Sequence, residues 1–125
     1  MKRKVIPIAT VLWRRKQSKH IHHSSMGIGL THLNGEDISM ILNERRCQFP
    51  GCTTTLTHFE LQDGVKKSKL TAYGADKHGQ KDMLTIDHKI PRCLGGNDTK
   101  ENKWTMCSQH NRLKSKAETW LYNII

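Results

Sequence analysis

Aromatic residues are scarce in this 125-residue chain, and no apolar run is long enough to cross a bilayer. With 6% aromatic and 35% hydrophobic residues, any core must be modest. Chains this small and polar often complete their stability with a metal or with disulfides. The apolar stretch "VIPIATVLW" (5–13) follows "MKRK" as a secretory leader would, but it ends in "RRK" with no small-residue cleavage site. The expectation is a soluble, cytoplasmic protein with no membrane partner. Internal repeats and low-complexity tracts are also missing. So are acidic residues from the first 35 positions.

Basic charge is abundant. Twenty-one Lys and Arg against eleven Asp and Glu leave a net charge of +10, and the pI is about 9.7. A polyanion, nucleic acid above all, is the expected partner. Lys2, Arg3, Lys4, Arg14, Arg15, Lys16 and Lys19 lie within residues 1–35, which read as a basic, phosphate-tracking arm and linker. Residues 36–125 then form the folded domain. His20, His22 and His23 sit among Ser and Gly, a setting that favours a solvated surface over a metal site.

Apolar periodicity outlines the elements. "VIPIATVLW" reads as a strand or extended arm, because Pro7 argues against a helix interior. "EDISMILNERR" places Ile38, Ile41 and Leu42 at helical spacing. "TTTLTHFELQ" and "SKLTAY" read as strands of a hairpin around "DGVKK". "MLTIDH" and "WTMC" are further strands, separated by a polar loop whose Gly95 and Gly96 should supply unusual backbone angles. From Ser108 the chain reads as a helix, with Leu113, Ala117, Trp120 and Leu121 in one apolar stripe.

In a reducing compartment, four cysteines suggest metal ligation rather than disulfides. Pro50 and Gly51 in "CQFPGC" turn the chain so that Cys47 and Cys52 approach one another. Cys107 and His110 form a second close pair at the start of the last helix. Two such pairs supply the four ligands of a structural zinc ion. Cys93 has no close partner and reads as a free thiol.

A second group needs no zinc. Asp87 and His88 end a strand, Asn102 follows fourteen residues after His88, and Asn111 nine after that. Asp and Asn oxygens suit a hard cation such as magnesium. A neutral imidazole beside it can take a proton from water, and an Asn carbonyl on the far ring nitrogen would fix its tautomer. These are the parts of metal-assisted phosphodiester hydrolysis. Taken singly, each residue has an ordinary structural reading; the combination is what carries weight.

"LTIDHKIPRCLGGNDTKENKWTMCSQHNRLKS" resembles the motif of the HNH endonucleases, and "CQFPGC" resembles the first half of the zinc clamp of many members. The resemblance covers residues 47 to about 118. It implies an α+β chain with a small ββα-metal fold and a zinc knuckle, here with a basic N-terminal extension. It makes His88 the general base and Asn102 the residue orienting it. Asp87 and Asn111 would hold a catalytic Mg2+ or Mn2+. Lys103, Arg112 and Lys114, with Arg14 and Arg15, would hold the phosphate backbone. DNA is the implied substrate, cut to 5′-phosphate and 3′-hydroxyl ends, in a phage or mobile-element protein. Two departures are visible: the last motif residue is Asn111 rather than His, and the second zinc pair is Cys-x-x-His. The 34 residues between Cys52 and Asp87 exceed a minimal motif, as an added hairpin would require. A zinc-stabilised binding module without catalysis and a nuclease for structured RNA are the rival readings.

Overall fold

The structure, a computed structural model, describes residues 3–17, 35–63 and 68–124. In chain order they form β1 (Arg3–Pro7), α1 (Ile8–Gln17), α2 (Gly35–Asn43), β2 (Thr55–Asp63), β3 (Ser68–Ala75), β4 (Lys81–His88), β5 (Lys103–Cys107) and α3 (Ser108–Ile124). The loop between β4 and β5 contains two single 3-10 turns, Arg92–Leu94 and Lys100–Asn102. Among the described residues one sheet has the order β1-β2-β3-β4-β5, and every neighbouring pair is antiparallel. The α+β class expected from the sequence is therefore present.

β2 shows how the sequence achieves this packing. Leu56 and Phe59 are three residues apart, so strict alternation would send them to opposite faces. The register shifts between Leu56 and His58, a bulge that absorbs the extra residue. Both side chains are consequently buried. They join Val11, Ile38, Ile41, Leu70, Ala72, Leu84 and Met106 in one core. Ile38 and Ile41 reach it from one face of α2 because they are one helical turn apart.

Two expectations need correction. Only residues up to Pro7 of "VIPIATVLW" are a strand; the chain becomes helical at Ile8. Proline is compatible with that boundary, where its missing N–H costs no internal helical bond. Residues 3–17 of the expected arm accordingly fold with the rest: β1 pairs with β2, and Val11 of α1 is in the core. The apolar stripe on α3 also differs. Leu113 is 53% exposed and Ala117 is exposed, whereas the turn-spaced polar residues Asn111 and Lys114 reach β4. The helix turns chemistry rather than grease toward the strand. Trp120 and Leu121 have side chains outside the described set, as do His20, His22 and His23 altogether.

Phe59 is fully buried at the centre of this core. Phe59→Ala should cost about 3–5 kcal/mol, read from the urea unfolding midpoint. A loss below about 1 kcal/mol would contradict its place there.

Candidate metal clamp and candidate active site

The turn holding the first cysteine pair is stitched to β5. Cys52 N–H donates to Phe49 O at 3.0 Å, and Cys47 N–H donates to Thr54 O at 2.9 Å. Gln48 then acts as a one-residue strand partner: its N–H donates to Thr105 O at 2.9 Å, and its Oε1 accepts Thr105 N–H at 2.9 Å. Cys107 ends β5 and His110 lies in the first turn of α3. As a result, ligand atoms of Cys47, Cys52, Cys107 and His110 all lie within 4.8 Å of one another. His110 Nδ1 is 3.2 Å from Cys107 Sγ and 3.8 Å from Cys47 Sγ. Tetrahedral bonds of about 2.3 Å to sulfur place ligands roughly 3.5–3.8 Å apart, close to this spacing. Phe49 stacks on the His110 ring, with centroids 4.1 Å apart and planes within 8°. That contact sets the direction in which Nδ1 points.

The thiols are poorly suited to ionise unaided. Burial pushes the Cys107 thiol up to about 12, with the neighbouring Cys47 contributing. Burial also raises Cys47. At Cys52 burial acts in the same upward direction, but hydrogen bonds with Thr54, Cys47 and Cys107 together outweigh it and the thiol is lowered. A divalent cation would offset the charge of these sulfurs, so the group fits a metal. Cys93 is exposed and stands apart from it.

The second group gathers where β4 ends. Asp87 pairs with Trp104, and His88 with Lys103, across the β4–β5 ladder. α3 crosses β4 on the side of Thr85 and Asp87. Asn111 Nδ2 donates to Thr85 Oγ1 at 2.9 Å. Lys114 Nζ donates to His88 O at 2.7 Å and to Glu118 Oε2 at 2.6 Å, and lies 3.1 Å from Asp87 Oδ2. Asp87 Oδ2 is buried without a directed hydrogen bond. The Lys114 ammonium is its ion-pair partner. Burial would lower the Lys114 pKa, but Glu118 and Asp87 overcome this and raise it. The Asp87 carboxylate and the amide oxygen of Asn111 are hard donors of the kind a small divalent cation takes.

His88 is held from the loop. Its Nε2 is 2.8 Å from Asp98 Oδ1. The same oxygen lies 3.2 Å from Arg92 Nη2 and 3.5 Å from Lys103 Nζ. The His88 hydrogen bond, then that of Arg92, then the Lys103 charge hold the Asp98 carboxyl down at about 2. Asn102 occupies a different place from the one expected. Its Oδ1 accepts Ile90 N–H at 3.0 Å, and its Nδ2 donates to Ile90 O at 2.9 Å and Asn97 O at 2.7 Å. Both amide hydrogens and the oxygen thus clasp the loop backbone, and none reaches the His88 ring. Asp98 was missed in the sequence because it is one polar residue in a polar loop, and its ten-residue separation from His88 follows no regular period.

The paired glycines in that loop differ. Gly95 has φ +90°, as a left-handed turn requires. Gly96 is needed for space: a Cβ there would lie 1.7 Å from Ile90 O.

The five expected phosphate contacts divide. Arg112 and Arg14 are exposed, the latter with its guanidinium 5.6 Å from the Trp13 ring. Arg15 hydrogen-bonds Ser39. Lys103 is ion-paired to Asp98 and Glu36, and all three of the Lys114 partners described above are internal.

Residues 74–117 match the family model of the HNH endonuclease. The matched segment carries β4, the clasped loop, β5 and the start of α3, so this part of the chain is similar to an HNH endonuclease domain. The match begins after Cys47 and Cys52, so half of the clamp lies outside it. No curated protein and no solved structure matches the chain. Among the described residues, no helix is long and apolar enough to cross a membrane.

The clamp makes a direct prediction. Purified protein should carry one tightly held metal equivalent by elemental analysis, lost on acidification as protons compete for the sulfurs. Cys107→Ser should reduce that content and lower the melting temperature by several degrees or more. Equal metal content and melting in the variant would rule the clamp out.

Proposed function

We propose that this protein is a metal-dependent DNA endonuclease that hydrolyses phosphodiester bonds. The observation that carries it is the meeting of Asp87 and His88, at the end of β4, with Asn111 and Lys114 of α3, inside the HNH segment. Zinc suits the Cys47, Cys52, Cys107 and His110 group, whose sulfur-rich donor set matches that ion. Magnesium or manganese suits the oxygens of Asp87 and Asn111. Such an ion, when bound, supplies positive charge to the scissile phosphate and to the departing oxygen.

The remaining work belongs to the chain. His88 takes a proton from the attacking water. Oxygen of that water bonds to phosphorus as the bond to the 3′ oxygen breaks, and the departing oxygen takes a proton from a solvent water, leaving a 5′-phosphate and a 3′-hydroxyl. Asn102 keeps the loop closed over this region through Ile90 and Asn97. Lys114 ties Asp87 to the backbone of His88, so the two neighbours keep a constant relation. Exposed Arg112 and Arg14, with the surplus charge of +10, favour a nucleic-acid backbone. A phage or mobile-element enzyme working in the host cytoplasm accords with this small, basic architecture.

Supercoiled plasmid incubated with magnesium, manganese or EDTA tests the reading. Nicked or linear product should form with either metal and not with EDTA. His88→Ala should lower the rate by about 10²–10⁴-fold while clamp metal and melting stay unchanged. Undiminished cleavage by that variant would sink the assignment. A gel shift with no product would instead indicate a binding module, and preferential competition by folded RNA an RNA substrate.

A further inference from the structure

We infer that Asp98 is a positioning residue for His88, setting its tautomer so that Nδ1 is the atom that accepts the proton from water. This rests on the nuclease reading above. The geometry is specific about the ring. Nε2 lies 2.8 Å from Asp98 Oδ1, and a carboxylate oxygen only accepts, so Nε2 carries hydrogen. A neutral imidazole with Nε2–H has its lone pair on Nδ1. Among the described residues, Nδ1 has no hydrogen-bond partner, so that lone pair is available. A carboxylate behind a histidine fixes orientation and tautomer in this manner elsewhere in catalysis and at metal sites.

Asp98 is itself fixed from two directions. Arg92 and Lys103 approach the same oxygen at 3.2 Å and 3.5 Å. From the backbone side, Asn102 Nδ2 grips Asn97 O at 2.7 Å, immediately before Asp98. The Asn97 side chain adds a local brace: its Oδ1 accepts from Thr99 N–H at 3.2 Å and Thr99 Oγ1–H at 2.7 Å. Asn102 therefore acts on His88 at one remove, through the loop, and Asp98 makes the contact. The residue pair divides a task that sequence reasoning assigned to Asn102 alone.

The test pairs kinetics with nitrogen-15 NMR of the His88 ring in the full chain. Wild type should show the Nε2–H tautomer in two-bond nitrogen–proton correlations, and Asp98→Ala should lose that preference. In plasmid nicking, Asp98→Ala should lower kcat about 10- to 100-fold, with KM for plasmid and the magnesium dependence retained. Asp98→Asn should fall less. Arg92 and Lys103 offer only donors to this position, so they keep the amide oxygen turned toward the ring. Thermal melting monitors folding, and the isosteric Asn variant with wild-type NMR decides the matter if Asp98→Ala does not fold.

An unchanged or raised kcat in Asp98→Ala would overturn the proposal, the latter marking Asp98 as a brake. A loss confined to KM or to magnesium affinity would overturn it too, as would an Nδ1–H tautomer in wild type. If wild type nicks nothing, the nuclease reading fails. The NMR arm then still decides whether Asp98 sets the ring.

Discussion

Three sulfurs and one imidazole converging within 4.8 Å govern how the two ends of the site region meet. Cys47 and Cys107 are each 1% exposed and belong to the same core as Phe59 and Leu84. The clamp is thus a continuation of a core too small to extend this far with apolar side chains alone. It joins the turn at 47–52 to the junction of β5 and α3. Gln48 reinforces that joint through Thr105, and Phe49 steadies His110. These four side chains meet where α3 begins, and α3 delivers Asn111 and Lys114 to β4. His110 and Asn111 are sequence neighbours, but about 100° of helical rotation sends one to the clamp and the other to the strand.

Charge around the site is gathered in two local groups of opposite sign despite the excess of +10. Lys114 sits between Asp87 and Glu118 on one side. On the other, Asp98 sits among His88, Arg92 and Lys103. The first group is partly buried, so its ion pairs act with less screening than surface pairs. The second is more open, and its value lies in direction rather than in stability. Lys103 and Lys114, expected to hold the phosphate backbone, are holding the protein's own carboxylates.

Much of this organisation was legible where a local rule governs it. Alternation in "MLTIDH" outlined β4, "WTMC" was read as a short strand where β5 lies, and helical spacing in "EDISMILNERR" found α2 with Ile38 and Ile41 inward. The convergence of Cys47, Cys52, Cys107 and His110 was visible because each pair is close in sequence. Features set by three-dimensional context were not. The bulge after Leu56 leaves no compositional mark. Pro7 argued against helix within its run, yet it stands at the helix boundary. The stripe containing Leu113 had the right period on the wrong face, since polar contacts to β4 decide how α3 is turned. Asn102 was expected to orient the His88 ring, but its three side-chain bonds go to the loop backbone. Asp98 emerges only once that loop is closed.

The two adjacent glycines lead to a lesson for redesign. At Gly95 the demand is on φ, and nothing lies within 4 Å of a would-be Cβ. Asn, which tolerates the left-handed region, is a reasonable replacement there. Position 96 is closed to every other residue by the carbonyl of Ile90, the same group that Asn102 holds. Anyone diversifying this loop to alter substrate choice thus has one adjustable glycine and one that sets the aperture of the loop. Length changes belong outside the segment 90–102, where they leave that aperture intact.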